Sequence, residues 1–356
     1  MKIAVLNDSH AGVRNDNKVF LDRDKRFYDE VFFPRLKADG ITRVLHLGDI
    51  LDRRKYINFV TANRLRVDFI EPLEAMGCTL DHVIGNHDVY YKDTNAISGV
   101  IELYGNSRYP INIITKTQEV VYGDLPILLV PWITDDNEEE TFATIKKSRA
   151  RVCMGHLELS GFEMNKGSVM DHGLDANVFK KFDIVASGHY HHQSSKVNVK
   201  YLGATGQFDW SDWDDLRGFH IFDTETMEFE HVRNPFEVFH KIYYNDGLDR
   251  TVSDILEDVD IASLHGSYVK VVVVAKNNPY FFDLFCTKLE EAGAADIQYI
   301  DEYLALDTVN ASQIIDEADD TMTSIKKYVE NVGTELDKAR LNAILTETYQ
   351  EAITVL

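Results

Sequence analysis

The 356-residue sequence predicts an α/β protein: a two-sheet sandwich flanked by helices, followed by a small α+β unit and a helical tail. Three observations carry this. The first 85 residues read strand, helix, strand, helix, strand, the pattern of a layered α/β fold. Five apolar runs of strand type each end in a short polar tip: Asp8-Ser9-His10, Gly48-Asp49-Ile50-Leu51-Asp52, Gly85-Asn86-His87-Asp88, Gly155-His156 and Gly188-His189-Tyr190-His191. After Asn234-Pro235 these tips stop and the chain turns acidic.

Lys2–Asp8 is the first expected strand. Val19–Lys37 has helical periodicity, with Phe20, Phe27, Val31 and Leu36 on its core face. Pro34 disturbs its last turn and Asp39-Gly40 ends it. Arg43–Leu47 is the second strand, Asn58–Met76 a long helix before Gly77, and Thr79–Ile84 the strand leading to Gly85. The pattern then becomes strand-rich, at Ile111–Thr115, Glu119–Tyr122 and Ile127–Val130. A helix over Asp135–Ala150 leads to a strand at Arg151–Met154, and a short helix over Asp175–Phe182 precedes the strand Asp183–Ser187. Val197–Gly203, Phe219–Asp223 and Met227–Val232 complete an antiparallel finish. Beyond it come a strand at Tyr268–Ala275, a helix at Tyr280–Ala292 and a strand at Asp296–Ile300. Helices are expected at Ser312–Glu330 and Thr334–Val355. The last carries a narrow apolar stripe, Leu341, Ile344, Leu345 and Ile353, suited to a partner's groove. The expected division is 1–235, 236–308 and 309–356.

A hydrophobic fraction of 44% is ordinary for a soluble protein, and no run approaches the roughly eighteen apolar residues of a membrane span. Met1-Lys2-Ile3 opens directly into a strand rather than a signal peptide. Cys78, Cys153 and Cys286 are few, odd in number and far apart, which fits reduced thiols in a cytoplasm. The net charge of -22 is unevenly spread. Residues 1–66 hold fourteen Lys/Arg against nine Asp/Glu, whereas residues 246–356 hold eight against twenty-two. The N-terminal part therefore has a basic strip suited to phosphates, with Arg14, Lys18, Arg53, Arg54 and Lys55 near the tips.

In an open α/β sheet, ligands bind beyond the carboxyl ends of the strands, so the five tips can converge. They offer Asp8, His10, Asp49, Asn86, His156, His189 and His191. Two divalent cations about 3.5–4 Å apart need a shared carboxylate and several ligands each. Asp49 suits the bridge because Gly48 lets the backbone pass close by. One ion would take Asp8, His10, Asp49 and His191, the other Asp49, Asn86, His156 and His189. Carboxylate, amide and imidazole together favour Mn²⁺ or Fe²⁺, with Mg²⁺ and Zn²⁺ as alternatives.

The series D-S-H, G-D-I-L-D, G-N-H-D, G-H and G-H-Y-H resembles the calcineurin-like metallophosphoesterase superfamily. Within it, the chain is similar to SbcD-type nuclease subunits of double-strand-break repair complexes, most of all the version of T-even-like phages. The motifs cover about residues 1–235; the α+β unit resembles that family's capping domain and the helical tail its ATPase-binding segment. The resemblance implies a Mn²⁺-dependent DNA exonuclease, with single-strand endonuclease action, in recombination, repair and replication. It also implies an SbcC-type, SMC-like ATPase partner and a homodimer within a heterotetramer, in the cytoplasm of the host cell. By the same resemblance His87 is not a ligand but stabilises charge or protonates the leaving oxygen, with Asp88 to orient it or to cap a helix. Relatives place a second catalytic histidine where this chain has Asp52, so Asp52 is expected only to support a ligand. His46, His82, His172 and His192 have no assigned role. Two readings compete: a phosphoprotein phosphatase or small-molecule phosphodiesterase of the same superfamily, and a non-catalytic scaffold. Arg54 stands where the phosphatase motif has glycine, and a scaffold tends to lose the ligands that are all present here.

Overall fold

A computed structural model of the chain describes residues 1–247, 250–301, 338, 340 and 341. The chain divides into two compact units, Met1–Phe239 and His240–Leu356. The strands of the first unit begin with β1 (Lys2–Leu6), β2 (Arg43–His46), β3 (Thr79–Val83), β4 (Ile111–Ile114), β5 (Gln118–Tyr122), β6 (Leu125–Val130) and β7 (Val152–His156). They continue with β8 (Glu163–Asn165), β9 (Ser168–Val169), β10 (Ile184–Gly188), β11 (Ser194–Lys196), β12 (Val199–Tyr201), β13 (Gly218–Asp223) and β14 (Glu228–Arg233).

Two six-stranded sheets result, in the orders β14-β13-β1-β2-β3-β4 and β11-β12-β10-β7-β6-β5. Strands β1 to β4 are parallel, as are β6, β7, β10 and β12, so their carboxyl ends lie at one edge of each sheet. Side chains alternate across a strand. Ile3, Val5, Leu45 and Val83 accordingly pack between the sheets against Ile127, Leu129, Val152 and Met154. Ala4, Leu6 and Val44 face the helices on the outside. This is the expected sandwich.

The first helical stretch runs Lys18–Phe27, then a π turn at Tyr28–Phe32, then Phe33–Asp39. The second repeats the device: Phe59–Leu65, a π turn at Arg66–Ile70, then Glu71–Ala75. Pro34 and Pro72 each follow a residue whose N–H reaches five residues back, Phe33 to Tyr28 and Glu71 to Arg66. A proline cannot donate the ordinary bond and crowds the carbonyl four residues before it, so the wider turn absorbs it without ending the helix. Gly40, at φ 64°, ends the first stretch as expected.

Two expectations fail locally. The helix expected over Asp175–Phe182 is one 3-10 turn, Ala176–Phe179, begun by the Asp175 side chain accepting from the Asn177 N–H. The strand expected at Val197–Gly203 shortens to β12 and pairs with β11, whose Ser194-Ser195-Lys196 has no apolar alternation to announce it.

The second unit contains β15 (Phe239–Asn245), β16 (Tyr268–Ala275) and β17 (Asp296–Asp301), in the order β15-β16-β17. Helix Pro279–Glu291 packs Phe285 and Leu289 against Tyr244, Val269 and Val271. Among the described residues no helix is long and apolar enough to cross a membrane. The helices expected over 312–330 and 334–355 lie largely outside the described residues, as do Ile344, Leu345 and Ile353; Leu341 is described, and is helical.

Candidate metal centre

The tips are stitched together through their backbones. Asp8 N–H donates to the Gly48 carbonyl at 3.0 Å, His10 N–H to Asp49 at 3.1 Å and Ala11 N–H to Ile50 at 2.9 Å. Asp8, His10, Asp49 and His189 adopt φ of 49°, 45°, 56° and 88°. Non-glycine residues take this left-handed region only where the surroundings enforce it, and it clusters at functional sites. Two glycines permit the approach. A Cβ on Gly48 would overlap the His156 ring and stand 2.9 Å from the Gly85 backbone, and one on Gly85 would overlap the Asp49 carboxylate and amide.

The seven donors converge. His10 Nε2 lies 3.1 Å from His191 Nε2 and 3.9 Å from the Asp8 carboxylate. Asp49 Oδ2 lies 3.3 Å from His156 Nε2 and 4.0 Å from His10 Nε2. Asn86 Oδ1 lies 2.9 Å from both His156 Nε2 and His189 Nδ1. Donor atoms of Asp8, His10 and His191 fall within 4.8 Å of one another, and so do those of Asp49, His156 and His189. A third such set, His10, Asp49 and His87, joins the two. His156 Nδ1 sits 2.8 Å from the Leu47 carbonyl, which only a proton on Nδ1 satisfies; its Nε2 lone pair is thereby aimed into the site. Facing imidazoles, two buried carboxylates and an amide oxygen make a donor set that suits divalent cations.

Electrostatics agree. Burial holds the His10 imidazole down at about 3, with His87 adding to it, and burial likewise depresses His191. Both present neutral nitrogens. Burial raises the Asp8 carboxyl to about 6, against the pull of His156. Burial opposes ionisation of Asp49 too, but His156, His87 and His10 outweigh it and hold the carboxylate well below its ordinary range. Burial also works against charge on His156, which Asp49 and Asp8 overcome, lifting it to about 9. Cation binding must displace that proton.

His87 and Asp88 occupy places other than those expected. The Asp88 carboxylate does not meet the His87 ring. It accepts from the N–H groups of Asp49 (2.9 Å), Ile50 (3.1 Å), Leu51 (3.2 Å) and Gly85 (2.9 Å), and from His82 Nε2 at 3.0 Å. One buried carboxylate thus ties the second tip to the third. His87 is held instead by Asp52, whose main-chain carbonyl accepts from Nδ1 at 2.5 Å, and its own N–H donates to Asp49 Oδ1 at 2.7 Å. The Asp52 carboxylate stands 3.8 Å from His10 Nδ1, a buried nitrogen with no hydrogen-bond partner among the described residues. Asp88→Asn would set an amide N–H₂ against backbone donors. A loss of about 3 kcal/mol, or roughly 6–12 °C in Tm for a unit of this size, is expected in a melting curve. An unchanged Tm would show that the tips hold without it.

A cleft of about 470 Å³ opens on these groups, bordered by Arg14, Asp49, Asp52, Asn86, His87 and His191. Arg14 donates to the Phe208 carbonyl at 2.8 Å, and Arg54 to the Asn86 carbonyl at 2.7 Å. Arg53 is paired with Asp16 at 2.6 Å, while Lys18 and Lys55 are exposed. Several supports escaped the sequence reading. Asn7 donates to Asp8 Oδ2 at 2.5 Å and to the Gly203 carbonyl at 2.9 Å. Arg217 donates to the His191 carbonyl and pairs with Asp212 at 2.6 Å. Trp132 packs on His189, ring centroids 5.1 Å apart. Only Asn7, adjacent to Asp8, carried a signal in its position.

The calcineurin-like phosphoesterase family model matches residues 1–193. Exonuclease subunit 1 of Enterobacteria phage T4 is 34% identical over 275 residues, which cover 73% of this chain and 78% of that protein. The SbcD component of nuclease SbcCD from Staphylococcus epidermidis is 22% identical over 317 residues, 80% of this chain and 79% of that one. Its namesake from Staphylococcus saprophyticus subsp. saprophyticus is 24% identical over 258 residues, covering 64% and 67%. With the family match over more than half the chain and a donor set fit for divalent cations, the chain belongs to the calcineurin-like phosphoesterases and is a metal-dependent phosphoesterase.

Proposed function

We propose that this protein is a Mn²⁺-dependent DNA nuclease acting on double-stranded ends, with single-strand endonuclease action. The observation that carries the reading is the cleft itself: two sets of metal-seeking donors joined by His10 and Asp49, bordered by Arg14 and by the Asn86 carbonyl that Arg54 holds. The likeness to proteins named as an exonuclease subunit and as parts of a nuclease supports the same substrate.

Asp8, His10, Asp49 and His191 would hold one cation, and Asp49, Asn86, His156 and His189 the other. Such cations supply Lewis acidity and a water acidified enough to attack phosphorus at neutral pH. The protein does the rest. Asp49 fixes the His87 backbone, and the Asp52 carbonyl fixes the ring so that Nδ1–H points away and Nε2 is left for the substrate. A protonated His87 donates to the phosphoryl or leaving oxygen through Nε2. Asp88 and His82 hold the second and third tips in register, and Asn7 holds Asp8. Arg14 and Arg54 flank the scissile phosphate; Lys18 and Lys55 meet phosphates farther along the strand. Arg53, already paired with Asp16, mainly orders the loop.

The competing substrate is a phosphoprotein. In Mn²⁺, kcat/KM for linear double-stranded DNA should exceed that for a phosphopeptide by orders of magnitude; the reverse ranking would move the substrate to protein. Residues 236–308 would form the cap, and the tail would bind an SbcC-type ATPase through Leu341, Ile344, Leu345 and Ile353, within a homodimer-based heterotetramer. Truncation after Gly333 should spare hydrolysis but abolish co-purification of that ATPase. Undiminished co-purification would place the contact elsewhere.

A further inference from the structure

A second cavity, of about 330 Å³, lies away from the metal centre. It is lined by residues of β11 and β12, at one edge of one sheet, and of β13 and β14, at one edge of the other. Deeper in the sandwich this space is apolar: Phe222 and Phe229 are cross-strand partners with ring centroids 4.6 Å apart, and Leu202 belongs to the same core. At the cavity the pattern breaks. The next inward-facing cross-strand pair is His220 with His231, ring centroids 4.9 Å apart.

Such a substitution is unfavourable unless something meets the polar groups. Three residues lining the cavity carry a buried polar atom with no hydrogen-bond partner among the described residues: Gln193 Nε2, Ser194 Oγ and His231 Nε2. Buried polar atoms are nearly always partnered, and three lining one cavity call for an occupant that accepts hydrogen bonds. Every one of the three can donate. Lys200 and Ser195 add further donors, and among the described residues no carboxylate lines the space. The charges near the histidines are Lys200 for His220 and Arg233 for His231, both of which disfavour a cation. A metal ion would find two imidazoles in a positive field and no lining carboxylate; an oxyanion finds donors on both sheets.

The geometry points to a phosphate-binding site at the open edge of the sandwich, formed by Gln193, Ser194, Lys200, His220 and His231. Its ligand class is a phosphoryl group, either free phosphate or the terminal phosphate of a nucleotide chain. Gln193 lies two residues beyond His191, so one strand-end segment serves both the cavity and the metal centre. The site does not depend on which ester the centre hydrolyses.

Calorimetric titration of the full-length, Mn²⁺-loaded protein with inorganic phosphate tests this. The wild type should show a class of sites that His231→Leu weakens roughly tenfold or more, as loss of a charge-assisted hydrogen bond implies. Ser194→Ala with Lys200→Ala should do the same, and its small side chains keep the test open if His231→Leu fails to fold. Repeating the titration with a 5′-phosphorylated phosphorothioate dinucleotide separates the sources. Loss of its binding in the same variants names a nucleic-acid end, and binding of phosphate alone names the free ion. Isotherms of both folded variants that superimpose on the wild type would overturn the proposal and leave the cavity to water.

Discussion

Asp49→Asn is expected to lower activity about a thousandfold and to strip the protein of most of its metal. The carboxylate lies within 4.0 Å of His156 and His10 and accepts the His87 N–H at 2.7 Å. Removing one partner of a buried charge pair costs about 3–5 kcal/mol, which is two to three and a half decades in a rate or a binding constant. The amide also presents two hydrogens where His156 and His10 present nitrogens. Metal content per chain by elemental analysis, read beside the rate, checks the result. A variant with full metal content and a tenfold loss or less would remove Asp49 from its bridging place.

His87→Ser should separate binding from chemistry. The ring packs edge-on against His10, centroids 4.8 Å apart, and is steered by Asp52 rather than by any of the seven donors proposed to hold metal. A positioned proton donor contributes roughly 10²–10⁴-fold. The expected outcome is a fall in kcat of that size, with metal content retained and KM little changed. Loss of metal together with activity would instead make His87 a ligand, which the third donor set, His10, Asp49 and His87, renders a concrete alternative.

The sandwich was legible because each parallel strand is a short apolar run with a polar tip, and because Gly40 and Gly77 mark helix ends by their left-handed backbone. The convergence of the seven donors was legible for the same reason: each sits close to the end of a strand, where topology sends all the chain ends to one edge. What escaped is bonding that no side-chain type announces. Asp88 acts on backbone N–H groups of a tip 37 to 39 residues away, and its closest side-chain partner is His82, a histidine with nothing in its sequence context to single it out. The group that steers His87 is a main-chain carbonyl, which the identity of Asp52 cannot reveal. The hairpin of β11 and β12 was hidden by its polarity, and with it the cavity that joins the edges of the two sheets.

The central claim is that the tips form a two-cation centre that cleaves DNA. The most direct test strips the protein with EDTA, restores Mn²⁺ in measured equivalents, and follows hydrolysis of linear double-stranded DNA against bound metal. Cleavage that is absent in EDTA and rises as the second equivalent binds is the predicted result. Two bound equivalents with no cleavage of DNA, or full cleavage at one equivalent or none, would contradict it.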